Sequence, residues 1–141
     1  MTYYQSADIL IPHTLFIGKW DPFHKSHVEM IEQVRSRTKL PILVLVRRGN
    51  CDFHETFRAE LIRLWMIENK VEGIIMIIPD IEGVHCGCDV GYKEILDTPV
   101  HVSATTIREE IGNGNHSWRK KVASERVADR IADYIRRVSN A

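Results

Sequence analysis

The stretch Leu15-Phe16-Ile17-Gly18-Lys19-Trp20-Asp21-Pro22-Phe23-His24-Lys25-Ser26-His27 changes character partway along. It opens on three apolar residues with no polar residue between them, the habit of a strand buried on both faces. Gly18 then permits a tight turn and Pro22 restricts the backbone just ahead of a helix. From His27 to Arg37, Val28, Ile31 and Val34 return at helical spacing. The segment is therefore the junction where a strand ends and a helix begins. At such a junction free backbone N–H groups and the positive end of the helix dipole point to one place. His24 and His27 are three residues apart, which lets both imidazoles face the same side of the first turn. With Lys19 beside them, the junction has the form of a phosphate site. Two histidines in a polar loop can also be plain surface residues, and the glycine-led junction is what favours the functional reading.

The same alternation continues outward from this segment. Ile42 to Val46 and Ile74 to Ile78 are continuous apolar runs. Between them lies a helical pattern over Glu55 to Glu68, with Phe57, Leu61, Leu64 and Trp65 on one stripe. The order β-α-β-α-β predicts an α/β fold, a Rossmann-like doubly wound parallel sheet covered by helices on both sides. Right-handed crossovers set the first two strands side by side and gather the loops after the strand C-termini along one edge, where a ligand is expected. After Asp80 regularity fades through Gly83, Gly87 and Gly91. Val100-His101-Val102 then reads as another strand. Thr105 to Ile111 reads as a helix stopped by Gly112, Asn113 and Gly114. Val127, Ile131, Ile135 and Val138 mark a final amphipathic helix that packs on the sheet or on a partner subunit. Residues 1–13 carry no readable pattern and form an N-terminal extension.

A chain of 141 residues without repeats or Gly/Ser linkers is read as one domain over 1–141. Lys and Arg total 19 and Asp and Glu total 19, so the chain has no net field to attract nucleic acid or a membrane surface. An anion must therefore be held by local groups. No apolar run approaches the roughly 20 residues of a membrane span. The first basic residue is Lys19, which leaves no secretory n-region, and three cysteines are too few and too odd for a disulfide framework. These features lead to the expectation of a cytoplasmic protein. Cys51-Asp52-Phe53-His54 and His85-Cys86-Gly87-Cys88 fit no common zinc spacing, so ordinary thiols and no metal site are expected there.

A second junction stands at Val102-Ser103-Ala104-Thr105-Thr106-Ile107-Arg108. Ser103 or Thr105 can cap a helix. Arg108 lies about one turn in and offers a forked donor suited to phosphate oxygens. Arg47 and Arg48 end the second strand on the expected ligand edge, as a solvated turn or as contacts to a phosphorylated acceptor. Asp80 closes the third strand, where it borders a base or ribose on the ligand reading. The run Arg119-Lys120-Lys121 reads as a solvated helix face.

Together the two junctions resemble the HxGH nucleotidyltransferase superfamily, whose signatures run G-x-F-x-P-x-H-x-G-H and I-S-x-T-x-I-R. Gly18, Pro22, His24 and His27 match the first, with Trp20 in the aromatic position. Ser103, Thr105, Ile107 and Arg108 match the second, with Val102 for Ile. Within the superfamily the chain is most similar to archaeal-type nicotinamide mononucleotide adenylyltransferases. The shared features are Lys19 after the first Gly, Thr56-Phe57-Arg58, the S-A-T-x-I-R form, and Gly114 with Trp118 in the tail. Two departures are Ser26 in place of the Gly between the histidines and a shorter middle segment. The resemblance implies transfer of AMP, or CMP, from a nucleoside triphosphate to a phosphorylated acceptor with release of pyrophosphate, ATP being favoured over CTP. The rival readings are a cytidylyltransferase for a small phosphate ester and a non-catalytic nucleotide-binding regulatory module. By the same resemblance His24, His27 and Lys19 are the catalytic residues. Gly18, Trp20, Asp21, Phe23, Ser26, Ser103, Thr105, Thr106 and Arg108 are assigned to the nucleotide. Mg²⁺ is expected on the phosphates, with Asp21 orienting it through water, and a homo-oligomer is expected.

Overall fold

The computed structural model describes residues 2–5 (backbone), 10–91, 93–96 and 102–139. Three of the apolar runs form parallel strands: β2 (Thr14–Gly18), β3 (Ile42–Arg47) and β4 (Gly73–Ile78). Pairing runs from Thr14↔Ile42 to Gly18↔Val46 and from Ile42↔Gly73 to Arg47↔Ile78. All three strands therefore end on one edge. The N-terminal extension, which shows no pattern in sequence, supplies a fourth strand, β1 (Thr2–Gln5), antiparallel to β4. The sheet order is β1-β4-β3-β2. The predicted strand at Val100-His101-Val102 falls largely outside the described residues, and Val102 itself is not in a strand.

The connecting helices are α1 (Lys25–Thr38) and α2 (Glu55–Glu68), followed by α3 (Ala104–Gly112), a 3-10 turn at His116–Lys120 and α4 (Glu125–Ser139). Phe16, Val44, Val46, Ile75 and Ile77 point to one face of the sheet. There they join Ile31 and Val34 of α1, Phe57, Leu61, Ile62 and Trp65 of α2, and Val127 and Ile131 of α4 in one core. Each such side chain contributes roughly 1.5–3 kcal/mol by leaving water. Gly73 sits at the start of β4 because the strands approach closely there: a Cβ would stand 2.3 Å from the Ile42 carbonyl oxygen.

The opposite face differs from the expectation of helices covering both sides. Leu15 and Met76 are exposed, and Ile17, Leu43, Leu45, Ile74 and Ile78 are only half-buried. The reason lies in the chain after β4, which forms no helix among its described residues before α3. The fold is an open α/β, Rossmann-like sheet in a single small domain closed by C-terminal helices. Among the described residues no helix is long and apolar enough to cross a membrane.

Candidate functional site

The first junction is built on aromatic packing. Gly18 ends β2 beneath the Trp20 indole, and a Cβ there would lie 2.9 Å from the ring. Trp20 adopts a left-handed backbone with φ 54°, and its Nε1–H donates to the Leu45 carbonyl at 3.0 Å, so the ring is pinned to the neighbouring strand. Phe23 is fully buried and meets Trp65 of α2 edge to face, with centroids 5.5 Å apart. The family resemblance assigns both residues to the nucleotide. The structure buries them in the core, as a floor on which the histidines rest. His27 stands edge-on to Trp20 at 4.7 Å and stacks on Phe23 at 5.8 Å.

His24 is the N-cap of α1 and His27 lies in its first turn. The rings stack with centroids 3.6 Å apart and planes 14° from parallel. The His24 backbone N–H donates to His27 Nδ1 at 3.2 Å. That assigns the His27 proton to Nε2, leaving Nε2–H as its donor. Burial lowers the His24 pKa to about 4. Burial first, and then repulsion from His24, hold His27 well below the ordinary imidazole value. Both rings are therefore neutral at pH 7. His24 Nδ1 is buried with no hydrogen-bond partner, a polar atom left over at the mouth of a helix N-terminus.

The second junction folds as the capping reading predicts. Ser103 is the N-cap of α3, and its hydroxyl accepts the Thr106 N–H at 3.4 Å. Ser103, Thr105 and Thr106 are exposed. Arg108 crosses to the first junction. Its Nη1 donates to the Asp21 carbonyl at 2.6 Å and its Nη2 to Thr105 Oγ1 at 3.3 Å, while Nε stands 3.5 Å from the Asp52 carboxylate. Asp21 is buried, and its two carboxylate oxygens accept the Asp52 and Phe53 N–H groups, each at 3.0 Å. Its carboxylate thus shapes the loop after β3. Ser26 Oγ accepts the Val102 N–H at 2.7 Å. Residues far apart in sequence are in this way stitched into one assembly carrying the starts of α1 and α3.

Lys19 is exposed at the end of β2. It approaches the loop at Gly49, where a Cβ would meet Asp80 Oδ2 at 3.1 Å and Lys19 Cε at 3.3 Å. Arg47 is paired with Asp80 at 2.7 Å and Arg48 with Glu55 at 3.0 Å, so both stand on the expected edge with carboxylate partners. Sequence reasoning left Arg58 out of the site. It is fully buried, with Nε donating to the Phe53 carbonyl at 2.8 Å and Nη1 to the carbonyls of Lys19 and Arg47. It ties together the ends of β2 and β3 and the loop that follows. A signal was present: position 58 shares the helical stripe of Leu61, Ile62 and Trp65, where a charge is costly unless fully partnered.

The three cysteines are free thiols, Cys51 half-buried and Cys86 and Cys88 exposed. Among the described residues no group of three or more His, Cys, Asp or Glu is placed to hold a metal. A hollow of about 260 Å³ lined by Arg35, Lys39, Lys70 and Glu72 lies at the other edge of the sheet and shares no residue with either junction.

Comparison with known families places residues 15–85, half of the chain, under the model described as cytidylyltransferase-like. The matched span runs from β2 to just beyond β4 and includes Gly18 to His27, whereas Ser103 to Arg108 lie outside it. No curated protein and no solved structure matches the chain.

Proposed function

Because the chain belongs to the cytidylyltransferase-like family, which supports a nucleotidyltransferase, we propose that it transfers AMP from ATP to a phosphorylated acceptor of the nicotinamide mononucleotide kind. The observation that carries the reading is the joining of the two helix starts by Arg108 and Asp21. It sets the neutral histidine pair and a forked cation around the mouths of α1 and α3.

In the proposed reaction an acceptor phosphate oxygen attacks the α-phosphorus in line. A new P–O bond forms, the bond to the α,β-bridging oxygen breaks, and pyrophosphate leaves with that electron pair. No side-chain nucleophile takes part. His27 Nε2–H, His24 and Lys19 stabilise charge on the α-phosphoryl oxygens, where one preorganised donor contributes about 3 kcal/mol. Arg108, Ser103 and the helix start at Thr105 hold the β- and γ-phosphates. The floor of Trp20 and Phe23 keeps water from the back of the histidines and fixes their tilt.

Both Asp21 carboxylate oxygens are engaged by backbone N–H groups, and among the described residues no cage of acidic side chains is placed to hold a cation. A Mg²⁺ ion on this reading is carried by the triphosphate, and when bound it neutralises phosphate charge. Arg47 and Arg48 serve the acceptor by exchanging Asp80 and Glu55 for its phosphate. Pyrophosphate release measured for ATP and CTP against a panel of acceptor phosphates tests the proposal. Turnover with ATP and a mononucleotide acceptor supports it. Preference for CTP moves the chain to the cytidylyltransferase reading, and triphosphate binding without turnover moves it to a regulatory module.

A further inference from the structure

Ser26 occupies the place between the two histidines where the signature it resembles has glycine, and its hydroxyl is spent inside the protein. Val102 N–H donates to Ser26 Oγ at 2.7 Å, and the Val102 carbonyl lies 3.5 Å from the same oxygen. Val102 directly precedes Ser103, the N-cap of α3, and Ser26 directly precedes His27 in the first turn of α1. A residue of the α-phosphate helix thus grips the backbone that leads into the β,γ-phosphate helix. Glycine has no atom able to accept the Val102 N–H.

We propose that Ser26 is a positioning residue, a strut that sets the spacing between the mouths of α1 and α3 to the span of a triphosphate. This rests on the nucleotidyltransferase reading above. The strut acts through Ser103 and Arg108, which ride on α3, and makes no contact with the nucleotide itself. Arg108 on the Asp21 carbonyl separately ties α3 to the loop before α1, so Ser26 governs the fine spacing and its loss leaves the assembly standing. In the first turn of a helix a serine can also back-bond locally. Here it reaches 76 residues along the chain instead.

The test uses the full chain and two independent readouts. The first is the exchange rate of the Val102 amide by NMR, which needs no substrate. The second is the KM for triphosphate against kcat. Ser26→Ala and Ser26→Gly are each expected to speed Val102 exchange and to raise the triphosphate KM about fivefold, the net worth of one neutral hydrogen bond, with kcat changed less than twofold. Ser26→Thr keeps the hydroxyl and is expected to restore both. In an Arg108→Ala background Ser26→Ala is expected to add no further rise in KM, since the strut acts through α3. Unchanged exchange and unchanged KM in Ser26→Ala overturn the proposal, and so does a Ser26→Gly protein that binds triphosphate more tightly than the natural one. Failure of the unmodified protein to bind any triphosphate overturns the nucleotidyltransferase reading instead, and is distinguished by Val102 exchange that still responds to Ser26.

Discussion

Acidification from pH 6.5 to pH 5 is expected to weaken the fold through the histidine pair. In the unfolded chain His24 titrates near 6.5, whereas burial lowers it to about 4 in the folded protein. Between those values the unfolded state binds a proton that the folded state refuses, so stability is complete above pH 6.5 and is lost as pH falls toward 4. Each pH unit in that window costs up to about 1.4 kcal/mol per histidine. From pH 6.5 to 5 the loss from His24 alone integrates to about 1.6 kcal/mol, because the slope is only half-developed at pH 6.5. His27 is depressed in the same direction by burial and by His24, and adds to the loss. A domain of this size has about 5–15 kcal/mol in total, so the effect is large enough to measure. Most of the window lies above the ordinary titration range of carboxylates, so the imidazoles dominate the change. Urea unfolding followed by the fluorescence of the buried Trp20, Trp65 and Trp118 supplies the stability at each pH. Direct NMR titration of the His24 ring supplies its pKa. An equal urea midpoint at pH 5 and pH 7, or a His24 ring titrating near 6.5 in the folded protein, refutes the reasoning.

Arg58→Met removes the donor from the carbonyls of Phe53, Lys19 and Arg47. It is expected to destabilise the protein by about 3–5 kcal/mol, seen as a lowered urea midpoint; a change below 1 kcal/mol counts against the buried tie. His27→Ala is expected to lower kcat by about 10²–10³ with little change in triphosphate KM, because its donor serves charge that grows in the transition state. Pyrophosphate-release kinetics decide, and near-normal kcat removes His27 from the reaction. Arg108→Ala is expected to weaken triphosphate binding at least tenfold while leaving nucleoside monophosphate binding within twofold, since its fork is assigned to the β- and γ-phosphates. Calorimetry showing equal losses for both ligands sends Arg108 elsewhere.

Much of the fold is legible in the sequence because its signals are local. Apolar runs of five residues, the helical return of Val28, Ile31 and Val34, and the cap at Ser103 depend on neighbours within a turn or a strand. Accordingly α2 spans Glu55 to Glu68 as its periodicity predicts, and β3 begins at Ile42. The phosphate-site form of Gly18 to His27 is equally local, a glycine, a restricted turn and two histidines at one helix start. β1 was not legible, since four residues at an edge carry no periodicity long enough to read and are defined by their pairing with β4.

What each site residue has left to offer is set by long-range contacts. Trp20 and Phe23 belong to a loop motif that the family resemblance gives to the nucleotide, yet the packing of β3 and α2 against that loop turns them inward. Asp21 looks like a free carboxylate until the loop after β3 closes on it. Arg58 stands on an apolar stripe in the sequence, and its partners exist only once two strand ends present their carbonyls to it. Ser26 departs from a motif in one dimension and fills a gap to Val102 in three. Most of the elements, and the chemistry available at the two junctions, are set locally, because both are written within a few consecutive residues. Partner, burial and protonation state arise from contacts between residues tens of positions apart, and those exist only once the strands have taken their order.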